Sequence, residues 1–124
     1  MNAGYTEALM TFDVEIVLRE QNHAVTERLQ SDTAPDQWTE YDVERVLKFI
    51  LLAIDRAKNP DASERFVVLR GFSWIVSPAD GGVLLHVEMQ LGTVSAGPFT
   101  IDEHRLTDMV SRVIGGPRAS TMVH

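Results

Sequence analysis

The sequence predicts an α+β protein in which helices pack on one face of an antiparallel sheet. Residues 66–91, FVVLRGFSWIVSPADGGVLLHVEMQL, contain two apolar arms separated by turn-forming residues, which is typical of a β-hairpin. Apolar residues at helical spacing lie before and after this segment. The predicted order is two N-terminal helices, a β-hairpin or three-stranded meander, and a C-terminal helix.

Residues 11–19 are the ambiguous part of the first predicted helix. Every second residue from Phe12 to Leu18 is apolar, as in a strand, whereas the flanking residues are typical of helices. Residues 12–19 also resemble residues 41–48, which have a helical pattern, and this resemblance favours a helix with a strand as the alternative. The helical interpretation predicts a common apolar stripe of Met10, Val14, Val17, Leu18, Val25 and Leu29.

The second helix, over residues 39–58, is predicted more directly. Thr39 is a suitable N-cap, the apolar residues that follow have helical spacing, and Asn59-Pro60 ends the helix. Trp38 and Tyr41 at its start are expected to pack against the protein, or else to anchor a partner.

The phase of the hairpin arms predicts which side chains face the core. In the first arm, the phase of the apolar residues changes around Gly71, which predicts a β-bulge there. Pairing Ser77 with Gly82 across a four-residue loop places Trp74 opposite Leu85 in the core, which favours this register over its neighbour.

The opposite face of the hairpin combines apolar, basic and polar residues, which is typical of an interface and predicts a partner-binding surface, with a solvated sheet face as the alternative. We expect a homodimer or another protein to cover it. The candidate binding residues are Phe66, Val68, Arg70, Ser73, Ile75, Leu84, His86, Glu88 and Gln90.

The C-terminal part begins with residues 92–97, which either extend the second arm or form a third strand. The sequence from Thr100 to Glu103 matches a capping box at the start of the last helix, and Gly115-Gly116-Pro117 ends it. This capping role also accounts for Asp102 and Glu103 better than an acid–base pair would.

Motifs for catalysis and cofactor binding are absent from the sequence. It contains no nucleophile elbow and no phosphate-binding loop, so we expect no cofactor and no catalytic activity. His86, Glu88 and His104 form a weak candidate set of metal ligands, although surface residues explain the same spacing.

Length and composition indicate the number of domains and the cellular compartment. The length of 124 residues predicts one domain at residues 1–116 and a flexible tail at residues 117–124. The absence of cysteine, of a basic leader and of a long apolar run leads us to expect a cytoplasmic protein that does not enter membranes.

The net charge indicates which classes of partner are favoured. The net charge of −7 disfavours nucleic acid and anionic lipid as partners and favours a basic protein. We therefore expect a small acidic protein that binds a protein or assembles with itself, such as an immunity protein, a chaperone or an assembly component. The alternative is a small-ligand-binding domain or enzyme with a pocket between the sheet and helix 39–58.

Overall fold

The computed structural model describes residues 10–21 and 24–115, so the predicted tail at residues 117–124 lies outside the described residues. These residues form five strands, two α-helices and a short 3-10 helix at Pro35–Gln37. The strands are β1 (Met10–Leu18), β2 (Ala24–Ser31), β3 (Ser73–Ala79), β4 (Gly82–Met89) and β5 (Gly92–Phe99), and the helices are α1 (Glu40–Lys58) and α2 (Glu103–Gly115).

All five strands belong to one antiparallel sheet with the order β2-β1-β5-β4-β3. The last strand, β5, lies at the centre and pairs with β1 on one side and with β4 on the other. Gly92 permits the close approach of β5 to β1, because its φ is +151° and a Cβ there would overlap the carbonyl oxygen of Val17. Because β5 pairs with both β1 and β4, it joins the N-terminal hairpin and the central hairpin into one sheet.

The prediction of two N-terminal helices is wrong, because the structure places the β1–β2 hairpin there. Every second side chain from Phe12 to Leu18 is buried, while the residues between them are exposed. Val17, which the helical stripe would bury, is 40% exposed, and Ile16 is fully buried. The alternation of β1 therefore reflects a strand with one buried face.

The resemblance between residues 12–19 and 41–48 misled the prediction, since the first segment is a strand and the second lies in α1. The pair that breaks the resemblance is Ile16 and Arg45. Ile16 completes the buried row of β1, whereas the guanidinium of Arg45 lies 5.8 Å from the ring centre of Tyr41 and 5.6 Å from that of Phe49, on the outside of α1.

The prediction of a helix with Thr39 as N-cap is confirmed. The Asp42 N–H donates to the Thr39 side chain, and the Asp42 carboxylate accepts from the Thr39 N–H at 2.9 Å, which completes a capping box. The helix ends at Lys58, directly before Asn59-Pro60. Neither described helix is long and apolar enough to cross a membrane.

The last helix begins at Glu103, two residues later than the predicted capping box implies, because its cap is Asp102 and not Thr100. The Arg105 N–H donates to the Asp102 carboxylate at 3.0 Å, and the Leu106 N–H donates to the Asp102 carbonyl at 3.0 Å. The Thr100 hydroxyl lies instead 3.5 Å from the Gly81 carbonyl oxygen in the β3–β4 turn.

The register of the central hairpin differs from the predicted one by two residues. Ala79 pairs with Gly82, so Asp80 and Gly81 form a two-residue loop, and Trp74 lies opposite Val87. Because side chains alternate between the two faces, a register shift of two residues leaves every side chain on its predicted face. The predicted bulge at Gly71 is wrong, because Gly71 precedes β3; the irregular pairing lies between β4 and β5, at Val83 and Leu85.

Both helices pack on one face of the sheet and enclose a single core. Trp38 and Phe99 lie at its centre, with ring centres 5.0 Å apart, and Phe12 packs against Phe99 at the same distance. The Trp38 indole N–H donates to the Thr33 carbonyl at 2.9 Å, so Trp38 has a packing role. Within residues 10–21 and 24–115, no helix packs on the opposite face of the sheet.

Candidate functional site

The candidate site lies on the open face of the sheet, which we define as the side chains that point away from α1 and α2. Strand alternation and register determine which side chains belong to the open face, because directly paired residues of neighbouring strands point to the same side. One row crosses all five strands and runs Ile75, His86, Ser95, Glu15 and Thr26.

His86 connects three strands on this face through its two ring nitrogens. Its Nε2 lies 2.9 Å from Ser77 Oγ on β3, and its Nδ1 lies 2.9 Å from Ser95 Oγ on β5. One serine donates to the ring and the other accepts from it, because a neutral imidazole has one N–H. In a Ser-His-Asp triad the second ring nitrogen donates to a carboxylate, whereas here it faces the Ser95 hydroxyl. The chain of hydrogen bonds therefore positions the ring and holds the strands together.

A groove of about 430 Å³ lies beside His86 on the open face. It is lined by β3, β4 and β5, with β4 in the middle, and the β5 side chains that border it on the open face are short. The outward-facing residues that line it are Ser73, Ile75, His86, Glu88, Thr93 and Ser95.

The open face is apolar at several positions despite its exposure to solvent. Ile75 is 60% exposed and Val17 is 40% exposed, while Leu84 on β4 is half-buried. Exposed apolar side chains that share a face with a groove are typical of an interaction surface.

The charges of the open face are distributed unevenly. Asp13 on β1 pairs with Arg28 on β2 at 3.0 Å, and this hydrogen bond, with the charge of Asp13, raises the pKa of the Arg28 guanidinium above its ordinary value. Glu15 and Glu88 form no ion pair with any of the described residues. Arg19, at the rim, donates to the carbonyl oxygens of Gln90 at 2.9 Å and Met89 at 3.1 Å.

The structure brings five of the nine sequence-predicted binding residues together on the open face. These are Ser73, Ile75, Leu84, His86 and Glu88.

The other four predicted residues lie outside the strands. Phe66, Val68 and Arg70 are exposed residues of the connection between α1 and β3, and Gln90 follows the end of β4. Arg65 fixes the start of this connection, because it pairs with Asp55 of α1 at 2.9 Å.

Sequence reasoning missed the contributions of β1 and β5 to this face. Thr93 and Ser95 line the groove, and Glu15 lies directly opposite Ser95. The alternation of β1 was the available signal for Glu15, but its pairing with β5 involves residues about 80 positions apart in the sequence and has no local signature.

The candidate metal set of His86, Glu88 and His104 is not assembled. His104 lies on α2, in the helical layer, whereas the other two residues point from the opposite face of the sheet. Within the ranges 10–21 and 24–115, no group of three or more possible ligands could hold a metal ion.

Of the other depressions among the described residues, two are lined in part by helical residues. The larger, about 840 Å³, lies between the first turns of α1 and α2, where Arg105 donates to the carbonyls of Asp36 and Trp38 and Arg112 pairs with Glu40 at 3.2 Å. Its arginines are thus engaged within the protein.

The other depression, about 350 Å³, lies at the outer edge of β2 and α1 and is lined by Leu29, Phe49 and Arg56 among others. It corresponds most closely to the pocket predicted between the sheet and helix 39–58, and a ligand there stays a prediction.

Comparison of the chain with protein-family models, curated proteins and solved structures finds no match.

Proposed function

We propose that this protein is a binding module that receives a segment of another protein on the open face of its sheet. The observation that carries the proposal is the groove beside His86, on a sheet face that neither helix covers and that exposes Ile75 and Val17. An immunity protein, a chaperone or an assembly component each requires such a surface.

Rigidity of the face supports binding without large rearrangement. The bonds from His86 to Ser77 and Ser95 tie β3, β4 and β5 together, so the groove is formed before a partner arrives. A preformed surface loses less conformational entropy on binding than a mobile one. Because Ser95 takes the place of a carboxylate on the imidazole, the constellation supports recognition rather than nucleophilic catalysis.

Charge disfavours a second copy of this chain as the occupant of the open face. Two such faces in contact would bring Glu15 and Glu88 of one copy towards the same carboxylates of the other, and like charges across an interface oppose association. The homodimer expected from the sequence is therefore the less favoured occupant, and a different protein is the proposed partner.

Selection of displayed peptides tests the proposal. Five strands about 4.8 Å apart make a face about 20 Å wide, so random peptides of about eight extended residues can span it. We expect peptides selected on the full chain to bind Ile75→Gln about tenfold more weakly, because this change removes apolar contact area without adding charge.

Tyr41→Gln is the matched control, since Tyr41 is 67% exposed on α1, away from the open face. Peptides that lose affinity for Tyr41→Gln and keep it for Ile75→Gln would place the binding surface on the helical layer and contradict the proposal.

A further inference from the structure

We infer that the partner presents an arginine or lysine side chain that lies over β5 between Glu15 and Glu88. This inference rests on the proposed function and specifies the chemistry of the segment that the open face receives. It is carried by the placement of two carboxylates on either side of the central strand.

The register places the carboxylates on the two strands that flank β5. Glu15 on β1 lies opposite Ser95, and Glu88 on β4 lies opposite Thr93. The two acids are therefore separated by about 10 Å across the sheet, with β5 between them, and by two residues, about 7 Å, along β5. The short Thr93 and Ser95 side chains between them leave room for a group that enters from solvent.

Among the residues that the structure describes, no other charge forms an ion pair with these two acids. Asp13 and Arg28 neutralise each other at 3.0 Å. The Arg19 guanidinium at the rim is directed to the carbonyl oxygens of Met89 and Gln90. The ring nitrogens of His86 are both engaged by serines. A cation from the partner would thus meet two carboxylates without competing with an internal pair.

The groove also fits the remainder of a long basic side chain. The hydroxyl oxygens of Thr93 and Ser95 can accept hydrogen bonds from a guanidinium or an ammonium group. Ile75, on the other side of His86, offers apolar surface to the methylene groups. The net charge of −7 attracts a basic segment from a distance and speeds its association.

The test compares two sets of displayed peptides that differ only in a central arginine or a central glutamine. Both sets are measured against the full chain, against Glu15→Gln/Glu88→Gln, and against the control pair Asp61→Asn/Glu64→Gln. The control removes two exposed acids from the connection between α1 and β3 and lowers the net negative charge by the same amount.

On the unaltered chain we expect arginine peptides to bind about threefold to tenfold more tightly than glutamine peptides, as two exposed ion pairs would supply. This advantage should disappear in Glu15→Gln/Glu88→Gln, persist in the control pair, and decrease as salt is added.

The remaining outcomes overturn the inference in distinguishable ways. Peptides that bind the open face, as judged by Ile75→Gln, without a preference for arginine would overturn the inference and leave the proposed function intact. An arginine preference that survives in Glu15→Gln/Glu88→Gln would assign the preference to net charge and overturn it as well. Absence of binding by either set, or a dimer in sedimentation that buries this face, would contradict both proposals.

Discussion

Ile16 and Val17 are neighbours in β1 whose side chains point to opposite faces of the sheet. Ile16 is fully buried among the core side chains, and Val17 is 40% exposed on the open face. Ile16→Ala should lower the free energy of unfolding by about 3 kcal/mol, because it leaves a cavity in the core. Val17→Ala should cost less than about 1 kcal/mol.

Urea denaturation of the two variants measures both values. The pair also discriminates between the strand and the helical interpretation of this segment, since the helical stripe includes Val17 and omits Ile16. A larger loss of stability in Val17→Ala than in Ile16→Ala would be inconsistent with β1 as described.

At the scale of the element, the start of α2 provides a comparison between two possible caps. Asp102→Ala should lower the free energy of unfolding by about 1 kcal/mol, because the Arg105 N–H loses its acceptor. Thr100→Ala should be close to neutral, since its hydroxyl does not cap the helix. Thermal or urea unfolding measures both changes. An equal loss of stability in the two variants would indicate that Thr100 also caps the helix and would contradict the assignment to Asp102 alone.

The elements that the sequence predicted correctly are those with local signals. The start of α1 is marked by the cap at Thr39, its end by Asn59-Pro60, and the central hairpin by turn residues between apolar arms. The N-terminal hairpin had a local signal in the alternation from Phe12 to Leu18, but the resemblance to α1 outweighed it, although Ile16 and Arg45 are a non-conservative pair. The pairing of β1 with β5, in contrast, cannot be predicted from neighbouring residues, because the two strands are far apart in the sequence.

The same reason explains which part of the candidate site was predictable. Ser73, Ile75, His86 and Glu88 were assigned to the correct face, because a two-residue error in register preserves side-chain direction. Ser95 joins them only through the pairing of β4 with β5, and Glu15 only through that of β1 with β5. The groove could therefore not be predicted without the pairing of β4 with β5.

At the scale of the whole molecule, the fold separates a helical layer that stabilises the core from a sheet face that is available to a partner. The core lies between α1, α2 and the buried side of the strands, so variants on the open face should change binding with little effect on stability. Ile75→Gln and Glu15→Gln/Glu88→Gln should thus unfold within about 1 kcal/mol of the unaltered chain, which makes their binding data interpretable.

The central claim is that the open face is the binding surface, and amide chemical-shift mapping tests it most directly. The full chain, labelled with ¹⁵N, is titrated with the tightest-binding arginine peptide from the selection. We expect the largest shifts along the row of Ile75, His86, Ser95 and Glu15, with small changes in α1 and α2. Shifts concentrated around Tyr41 and His104, in the first turns of the helices, would contradict the claim.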